Sequence, residues 1–324
     1  MPHSQKAMGQ PSRWTDRIGR RIKLRDLHIL LTVAKAGSMG RASSELAMSQ
    51  PVISKTINSL EDLLGVRLLD RSARGVEPTL YGRQLLQCSV SVFDELRQGV
   101  EALQFLSGES AGELRLGCTE AGAAGFVPEV IDQLTRQYPR MRFHVEIADP
   151  ATLIDRHLRQ RTIELAIGAT PGVAAGQDVA FEPIFEERHV VMAGVAHPRA
   201  RKRNIALADL VGERWVLPPP GSIAGVYVSE AFRASGLSPP QAHVLSFSMS
   251  LSHHLLATGR YVAMLPVGMA RLAKHLPLKR LDVRFEGIPR SVAVMTLRNR
   301  TLSPLAHLFI ERSHAMAKSL GTVR

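Results

Sequence analysis

The sequence predicts an α/β protein in which a small helical head and one long helix precede two α/β subdomains. Apolar residues repeat at helical spacing through residues 24–64, and nearly thirty residues after Pro78 continue a helical pattern without a convincing break. From Glu113 onward, short apolar runs alternate with helices of ten or more residues, which is typical of a parallel α/β sheet. With 324 residues and 45% hydrophobic content, the chain can bury two cores.

The first predicted helix runs from Leu24 to about Ala36. Its inner face is predicted to consist of Leu27, Leu30, Leu31 and Ala34, and Gly37 is its stop signal. Together with the two helices that follow, it is expected to form a three-helix unit around one small core.

Residues 38–61 predict two short helices joined by a tight turn. In the first, Ala42 and Leu46 lie four residues apart and share a face. The second begins at the N-cap Ser49, with Pro51 in its first turn, where a missing N–H costs nothing. Its inward positions are predicted to be Ile53, Ile57, Leu60 and Leu64.

The opposite face of this second helix is polar. It carries Gln50, Ser54, Lys55 and Asn58, all able to hydrogen-bond a base edge or a phosphate. A helix with one buried stripe and a short polar face suits the major groove of DNA. An ordinary helical hairpin with a solvated face is the alternative, and such hairpins are far commoner.

Residues 65–78 predict a β-wing, because two short extended pieces flank a turn rich in Arg and Gly. Arg71 and Arg74 lie where a wing could meet the phosphate backbone or the minor groove. A surface turn with solvated arginines would have the same sequence.

The long helix is predicted to start after its cap Thr79 and to continue to about Leu106. It carries two apolar stripes, which are Leu86-Val90-Phe93-Val100 and Leu85-Val92-Leu96-Leu103. Two stripes need more than one partner surface, so self-association along this helix is expected, although burial within one subunit stays possible. Residues 107–112, small and polar, are predicted to be a linker.

The α/β body is predicted as two successive sets of elements. The first has strands at 113–118, 142–147 and 163–168 and helices at 126–138 and 151–159. The second has strands at 184–193, 215–217, 244–247 and 261–265 and helices at 226–235 and 251–258. Two α/β subdomains with a cleft between them fit this pattern.

Composition favours an intracellular protein with a polyanionic partner. The net charge is +12, but residues 1–107 hold only 15 Lys and Arg against 10 Asp and Glu, so charge does not locate the partner. The two cysteines, Cys88 and Cys118, are far apart, which suits a reduced, cytoplasmic setting. Residues 1–21 are expected to be a flexible basic arm, and neither a secretory signal nor a membrane span is expected.

An ordered set of short motifs runs from residue 27 to residue 82. It comprises Leu27-His28-Ile29-Leu30, Gly37-Ser38, Ala42-Ser43-Ser44-Glu45-Leu46, Ser49-Gln50-Pro51-Val52-Ile53-Ser54-Lys55, Ile57-Asn58-Ser59-Leu60-Glu61, Leu64-Gly65-Val66-Arg67-Leu68-Leu69-Asp70-Arg71 and Thr79-Leu80-Tyr81-Gly82. Looser matches follow at 112–117, 164–168 and 256–266. In this order the motifs resemble the LysR-type transcriptional regulators over residues 22–310. The runs at 75–78 and 93–97 are similar to the branch with regulators of sugar-binding-protein operons.

The resemblance implies a division of the chain after the arm at 1–21. Residues 22–78 would form a winged helix-turn-helix DNA-binding domain, and residues 79–107 a linker and dimerisation helix. Residues 108–324 would form a periplasmic-binding-protein-like effector domain of two α/β lobes. The implied partners are double-stranded promoter DNA, RNA polymerase, a small-molecule effector that acts as co-inducer, and further copies of the chain in a homodimer or homotetramer. No cofactor, metal, membrane or enzymatic activity is implied.

The resemblance also assigns DNA-contacting positions. These are Ser49, Gln50, Pro51, Ser54, Lys55 and Asn58 on the second helix, with Arg71 and Arg74 on the wing. Lys55 departs from the family, which more often has Arg there, and loses a two-donor fork to guanine.

The effector site is expected outside the carboxyl ends of the strands, where helix N-termini expose N–H groups. The predicted contacts are Thr119, Glu120, Thr152, Thr170, Ser222 and Ser248. For each hydroxyl, a plain helix cap is as good an explanation as a ligand contact. Glu120 disfavours a nearby carboxylate and suits a sugar hydroxyl, so a neutral or weakly anionic metabolite is expected.

Enzyme signatures are missing from the sequence. The glycines at 117, 122 and 125 lack dinucleotide-binding spacing, and no nucleophile elbow or Walker loop occurs. His253 and His254 are adjacent in a predicted helix, so their rings point apart and chelate poorly. The hypothesis is therefore a ligand-responsive transcription factor. The alternative is a cytosolic solute-binding module that acts by protein contact, with N-terminal helices serving only assembly.

Overall fold

The computed structural model describes residues 21–72, 75–109, 112–170, 176–268, 276–285 and 289–321. The predicted basic arm, apart from Arg21, and the wing residue Arg74 lie outside these residues. The chain divides into two compact units, Met1–Leu96 and Arg97–Arg324. Among the described residues, no helix combines the length and the apolar character needed to cross a bilayer.

Three helices form the core of the first unit. They are α1 (Leu24–Ala36), α2 (Met39–Leu46) and α3 (Gln50–Leu64). Gly37 ends α1 in the left-handed conformation (φ 61°), and its N–H bonds the Val33 carbonyl, as its predicted role as a stop signal requires.

The inner face of α1 differs in part from the prediction. Ile29, Leu30 and Val33 are almost fully buried, whereas Leu31 and Ala34 are only half-buried. The face with Leu31 and Ala34 and the face with Ile29 and Val33 are both apolar in sequence, so helical spacing alone does not determine which one is buried. The choice is made by α2 and α3, which both pack against α1.

The wing is an antiparallel hairpin of β1 (Leu69–Ser72) and β2 (Gly75–Pro78). The prediction of two short extended pieces is therefore confirmed. The N–H of Val76 bonds the Gly37 carbonyl at 3.0 Å, which joins β2 to the end of α1. A side chain on Gly75 would lie 2.6 Å from that carbonyl oxygen, so the approach requires glycine.

The long helix α4 runs from Leu80 to Gln104 and continues as a π-helical turn at Phe105–Glu109. Its predicted length is confirmed. Within the chain it leaves a set of apolar side chains exposed, which are Val92, Leu96, Val100, Leu103 and, in the π-turn, Leu106.

The second unit has two lobes, each built on a five-stranded sheet. Lobe 1 has the strand order β4-β3-β5-β14-β6, from β3 (Gly112–Cys118), β4 (Met141–Ile147), β5 (Leu165–Ala169), β6 (Val179–Glu187) and β14 (Arg290–Leu297). Its helices are α5 (Glu120–Ala123), α6 (Phe126–Gln137), α7 (Pro150–Thr152, continued by a π-helix at Leu153–Leu158) and α10 (Pro304–Gly321). Its main core includes Leu114, Leu116, Val130 and Phe309, each fully buried.

Lobe 2 has the strand order β10-β9-β11-β7-β12. Its strands are β7 (His189–Gly194), β9 (Trp215–Leu217), β10 (Ala242–Leu245), β11 (Val262–Pro266) and β12 (Leu278–Arg280), with a small β8–β13 pair at Ile205–Ala206 and Val283–Arg284. Its helices are a 3-10 turn at Leu207–Leu210, α8 (Ile223–Ala234) and α9 (Met249–Ala257). Trp215, Tyr227 and Phe232 fill its core.

Lobe 2 is inserted into lobe 1. The chain leaves lobe 1 after Glu187 and re-enters it at Arg290, and these two residues are register partners in the antiparallel β6–β14 pair. The two crossing segments therefore lie side by side.

Two predictions about the α/β body are wrong in detail. The sheets are mixed rather than parallel, because β14 runs antiparallel to β5 and β6, and β7 runs antiparallel to β11 and β12. The single strand predicted at 184–193 is two strands, β6 and β7, which belong to different lobes. The polar residues Glu186, Glu187, Arg188 and His189 interrupt the apolar run where the chain crosses between the lobes. The sequence prediction also stopped at residue 265 and assigned neither β14 nor α10.

Candidate DNA-binding surface and ligand cleft

The polar face of α3 is exposed because the opposite stripe is buried. Ile53, Ile57 and Leu60 are at most 3% exposed, which leaves Gln50, Lys55 and Asn58 outward and Ser54 half-buried. Ser49 and Pro51 are exposed at the start of the helix. Ser49 occupies the N-cap position, as predicted, but its side chain makes no capping hydrogen bond.

Arg71 lies against the polar face of α3. Its Nη1 donates to Ser54 Oγ at 2.9 Å, and its Nη2 donates to Asn58 Oδ1 at 2.6 Å. The backbone of Arg71 is part of β1 in the wing, but its guanidinium lies on the same surface as the polar side chains of α3. The sequence predicted only that Arg71 lies on the wing. Arg71 is 13 residues from Asn58 and 17 from Ser54, so no local pattern indicates these contacts.

Glu61 joins α3 to the wing, a role that the sequence reasoning did not assign. Its Oε1 accepts the N–H groups of Leu68 and Leu69 at 2.7 and 3.1 Å. Two backbone donors on one carboxylate oxygen set the position of the strand that carries Arg71. The preceding Arg67 carbonyl accepts the Thr79 hydroxyl at 2.7 Å, and that hydroxyl accepts the Gly82 N–H, so Thr79 caps α4 as predicted.

A cleft of about 2140 Å³ lies between the two lobes of the second unit. Of the six predicted effector residues, Thr119, Glu120, Ser222 and Ser248 line it. Thr152 and Thr170 are outside the lining: the Thr152 hydroxyl donates to Asp149 Oδ2 at 2.5 Å, and the Thr170 N–H bonds the Ser291 carbonyl. The structure thus brings together four of the six.

The hydroxyls in this cleft are helix caps. Thr119 accepts the Gly122 N–H at 3.3 Å, Ser222 the Gly225 N–H at 3.0 Å, and Ser248 the Leu251 N–H at 3.3 Å. Asp149 does the same for α7, accepting from Ala151 and Thr152 at 3.0 and 3.1 Å. These three hydroxyls therefore cap helices, and each cap places its helix N-terminus at the cleft.

Glu120 bridges the two lobes. It is the first residue of α5 in lobe 1, and its Oε1 accepts the backbone N–H of Met249, the first residue of α9 in lobe 2, at 3.2 Å. A carboxylate at a helix N-terminus is stabilised by the helix dipole. Glu120 therefore occupies a position that an anionic ligand would otherwise use.

Glu187 is the main cleft residue that the sequence reasoning missed. It ends β6 at the crossing between the lobes and lines the cleft. Burial raises its pKa to about 7, and a hydrogen bond from the Gly268 backbone opposes that rise. No Lys or Arg pairs with it within the described ranges. Alternation within one strand predicts only that Glu187 faces one side of the sheet, so no sequence signal marks it as buried.

His189 follows at the start of β7 and stacks on Tyr227, with ring centroids 3.8 Å apart. Burial and then the nearby Arg290 lower the pKa of His189 to about 4, so it is neutral at pH 7. Arg290 itself donates to Glu230 Oε2 at 2.5 Å and lies over the Tyr227 ring. These contacts join α8 of lobe 2 to β7, which carries His189, and to β14, which carries Arg290.

The remaining cysteine and histidine candidates, Cys118, His253 and His254, are not arranged for catalysis or metal binding. Burial, with a smaller contribution from Glu120, raises the pKa of the Cys118 thiol to about 12, so this thiol is unreactive. His254 bonds the Ser250 carbonyl and His253 is half-buried, so the two rings do not converge. In the described part of the chain, no three His, Cys, Asp or Glu side chains are grouped as metal ligands would be.

Family models match both units. Residues 24–83 match the bacterial regulatory helix-turn-helix protein, lysR family, and residues 107–318 match the LysR substrate binding domain. The HTH-type transcriptional regulator GbpR of Azospirillum brasilense is 30% identical over 91% of this chain and 86% of its own length. The uncharacterized HTH-type transcriptional regulator YdcI of Escherichia coli is 29% identical over 93% of this chain and 96% of its own.

Solved structures with the same fold cover nearly the whole chain. A full-length OxyR from Pseudomonas aeruginosa superposes with a TM-score of 0.69 at 24% identity, covering 90% of this chain and 95% of that one. CbnR in complex with its target DNA superposes with a TM-score of 0.64 at 19% identity, covering 91% and 99%. The predicted fold class is therefore confirmed. Because the two domain models together span both units, this chain belongs to the LysR family and is a LysR-type transcriptional regulator, with a helix-turn-helix DNA-binding domain and a C-terminal substrate-binding domain.

Proposed function

We propose that this regulator contacts promoter DNA through the exposed face of α3 and responds to a small molecule bound between the lobes of its C-terminal unit. The observation that carries the first part is the division of α3 into a buried stripe and an exposed polar face. A helix of this kind, in a helix-turn-helix, enters the major groove and presents its first turns to base edges. We take residues 22–78, 79–107 and 108–324 as the working division into DNA-binding, linker and effector parts.

Within this surface we assign base contacts to Gln50 and Arg71. The Gln50 amide can pair with adenine, and the Arg71 guanidinium can pair with guanine. Ser54 and Asn58 hold Arg71 by one proton on each terminal nitrogen, so the guanidinium keeps further donors for a base. Ser54 and Asn58 then act by orienting Arg71. Arg71 supplies the two-donor fork that Lys55 lacks.

Lys55 fits a phosphate contact, because a single ammonium on a flexible stem provides charge rather than a planar fork. Ser49 and Pro51, exposed beside it, approach the backbone or sugar edge. Arg74 at the wing is assigned to the phosphate backbone or the minor groove.

The exposed apolar side chains of α4 support assembly through this helix. Leu96 and Leu103 are 50% and 68% exposed, and they lie on one face two turns apart with Val92 and Val100 beside them. Pairing two α4 helices buries this surface and presents two DNA-binding units to a two-fold site. We propose a homodimer built in this way, paired further into a homotetramer.

The effect of the ligand follows from population shift. A ligand that binds one spacing of the lobes better than another favours the assembly with that spacing. The distance between paired DNA-binding units then changes, and with it the recruitment of RNA polymerase. A protein that acts in this way works in the cytoplasm, where promoter DNA is found.

A gel shift with DNA from upstream of the protein's own reading frame tests the proposal. The Gln50→Ala/Lys55→Ala double variant should lose binding while its circular dichroism spectrum is unchanged. The matched control, Glu45→Ala, changes an exposed residue of α2 outside the assigned contacts. No binding by the unaltered protein would favour the alternative of a solute-binding module that acts by protein contact. Unaltered binding by the double variant would place the DNA contacts outside Gln50 and Lys55.

Salt dependence separates the two kinds of contact. Lys55→Ala should weaken binding to all sequences and reduce the slope of log K against log salt by about one. Arg71→Ala should relax the preference at one guanine position, a loss of about 10- to 100-fold for the correct base. If Arg71→Ala instead behaved as Lys55→Ala does, Arg71 would be a phosphate contact.

A further inference from the structure

Acidic side chains lie at the cleft between the lobes, and each helix that begins there already has one or two of its first N–H groups bonded to a side chain of the protein. Free N–H groups at helix N-termini can bind the anionic part of a ligand. Here α5, α7, α8 and α9 each begin with a capping oxygen from the chain itself, at Thr119, Asp149, Ser222 and Ser248. Glu120 adds a carboxylate at the start of α9. A ligand carboxylate would meet this negative charge.

Glu187 strengthens the argument, because it is a desolvated carboxyl that faces the cleft. It accepts a hydrogen bond from the Gly268 backbone, and a side chain on Gly268 would lie 3.0 Å from Glu187 Oε1. A buried carboxyl of this kind gains free energy from any ligand that donates hydrogen bonds to it. It loses free energy if a second carboxylate is brought close.

Four cationic side chains line the cleft and must be considered. Three of them, Arg188, Arg280 and Lys318, are exposed to solvent. Screened, exposed charges contribute little to binding compared with a desolvated group. Arg290 is paired with Glu230. The half-buried charged groups of the cleft are therefore mainly carboxyls, whereas its exposed lining carries both signs, since Glu129 and Glu186 lie there with the three exposed cations.

The same cleft presents apolar surface beside the carboxyl groups. Phe247 is 47% exposed and Ile147 is 53% exposed, and both line the cleft. Carboxyl groups that accept hydroxyl protons, next to an exposed ring that packs on C–H groups, provide complementary contacts for a small polyol or a sugar.

We propose that the effector is an uncharged polyhydroxy compound whose hydroxyls donate to Glu187 and Glu120 while its C–H face packs on Phe247, and that the cleft rejects the corresponding carboxylic acids. This inference rests on the proposed function, since it specifies the ligand of the same cleft. The inference adds the chemical class of the effector and names Glu187 and Glu120 as the residues that select it. Glu120 also accepts the Met249 N–H and so connects lobe 1 to lobe 2. A ligand hydroxyl that donates to Glu120 would therefore alter a contact that sets the distance between the lobes.

Matched probes test the proposal on the full chain. Isothermal titration compares D-galactose with D-galacturonate and D-glucose with D-glucuronate, pairs that keep the sugar ring and differ chiefly in a carboxylate. At least one neutral sugar should bind, and its acid should bind at least 10-fold more weakly. D-glucosamine is included as the cationic probe.

Variants separate recognition from simple loss of structure. At pH 8, where Glu187 is ionised, Glu187→Gln keeps the shape of the side chain but removes its charge. It should weaken binding of the neutral sugar about 10-fold or more and reduce the difference in affinity between the sugar and its acid. Phe247→Ala should weaken both members of a pair equally. Glu311→Gln, an exposed carboxyl on α10, should change neither.

Several outcomes overturn the inference. They are an acid that binds as tightly as its neutral partner, binding of the amine alone, and no binding by any neutral sugar. A gel shift on the same preparations distinguishes these failures from failure of the proposed function. If promoter binding is retained, the proposed function as a regulator still holds and only the proposed ligand class is refuted.

Discussion

Replacing Glu187 by Gln should make the thermal stability of the protein less sensitive to alkaline pH. Burial raises the pKa of this carboxyl from its ordinary value of 4.5 to about 7. The folded protein therefore favours the protonated form more than the unfolded chain does. The stabilisation from Glu187 is fully present below pH 4.5 and is lost as pH rises through 7.

The size of the effect follows from the shift. A displacement of about 2.5 pKa units corresponds to about 3 kcal/mol between pH 4 and pH 8, as an upper figure for a group beside a solvent-filled cleft. Gln cannot ionise and does not incur this cost. Glu187→Gln should therefore gain stability relative to wild type between pH 5 and pH 8, by up to about 10 °C in Tm.

Differential scanning calorimetry at pH 5, 6, 7 and 8 measures the difference. His189, whose pKa is lowered from 6.5 to about 4, loses its own stabilising contribution as pH falls from about 6.5 to 4, but it does so in both proteins and cancels from the difference between them. Glu311→Gln is the control, since it removes an exposed carboxyl. Parallel Tm profiles for wild type and Glu187→Gln would refute the assignment of a desolvated carboxyl.

Three further predictions concern the DNA-binding unit and α4. Gly82→Ala should destabilise the protein by several kcal/mol or prevent folding, because its Cβ would lie 1.9 Å from the Leu68 carbonyl oxygen; the matched Gly99→Ala, with open space around it on the same helix, should stabilise it by about 0.5–1 kcal/mol in urea unfolding. Glu61→Ala should cost about 1–3 kcal/mol and weaken DNA binding, since Leu68 and Leu69 lose their acceptor; equal DNA affinity in a gel shift would show that the wing is positioned by other contacts. Leu96→Glu/Leu103→Glu should reduce the molar mass measured by light scattering by at least half, because the pairing of α4 helices is lost, and an unchanged mass would place that interface elsewhere.

Local patterns predicted the N-terminal unit well. The bounds of α1, the αL stop at Gly37 and the buried stripe Ile53-Ile57-Leu60 follow from spacing and capping within a few residues. The position of Arg71 across α3 does not, because it depends on how a hairpin lies against a helix. Glu61 was missed for the same reason.

The α/β body was predicted less completely for a reason of topology. Alternating helices and strands indicate the class of fold, but not that the chain leaves one sheet at Glu187 and returns at Arg290. The strand β14 pairs antiparallel with two strands more than a hundred residues earlier, so its partners have no local signature. The ligand cleft was located from hydroxyl caps, whereas the buried carboxyl at the crossing needed three-dimensional structure.

The insertion of lobe 2 has a consequence for biosynthesis. During translation, lobe 1 begins first but lacks β14 and Phe309 of α10 until the chain has been made beyond residue 309. Lobe 2 has its full set of strands before that point. We therefore expect the later lobe to complete its folding on the ribosome while the earlier one waits for the C-terminus, so C-terminal truncations should leave an intact lobe 2 attached to an unfinished lobe 1.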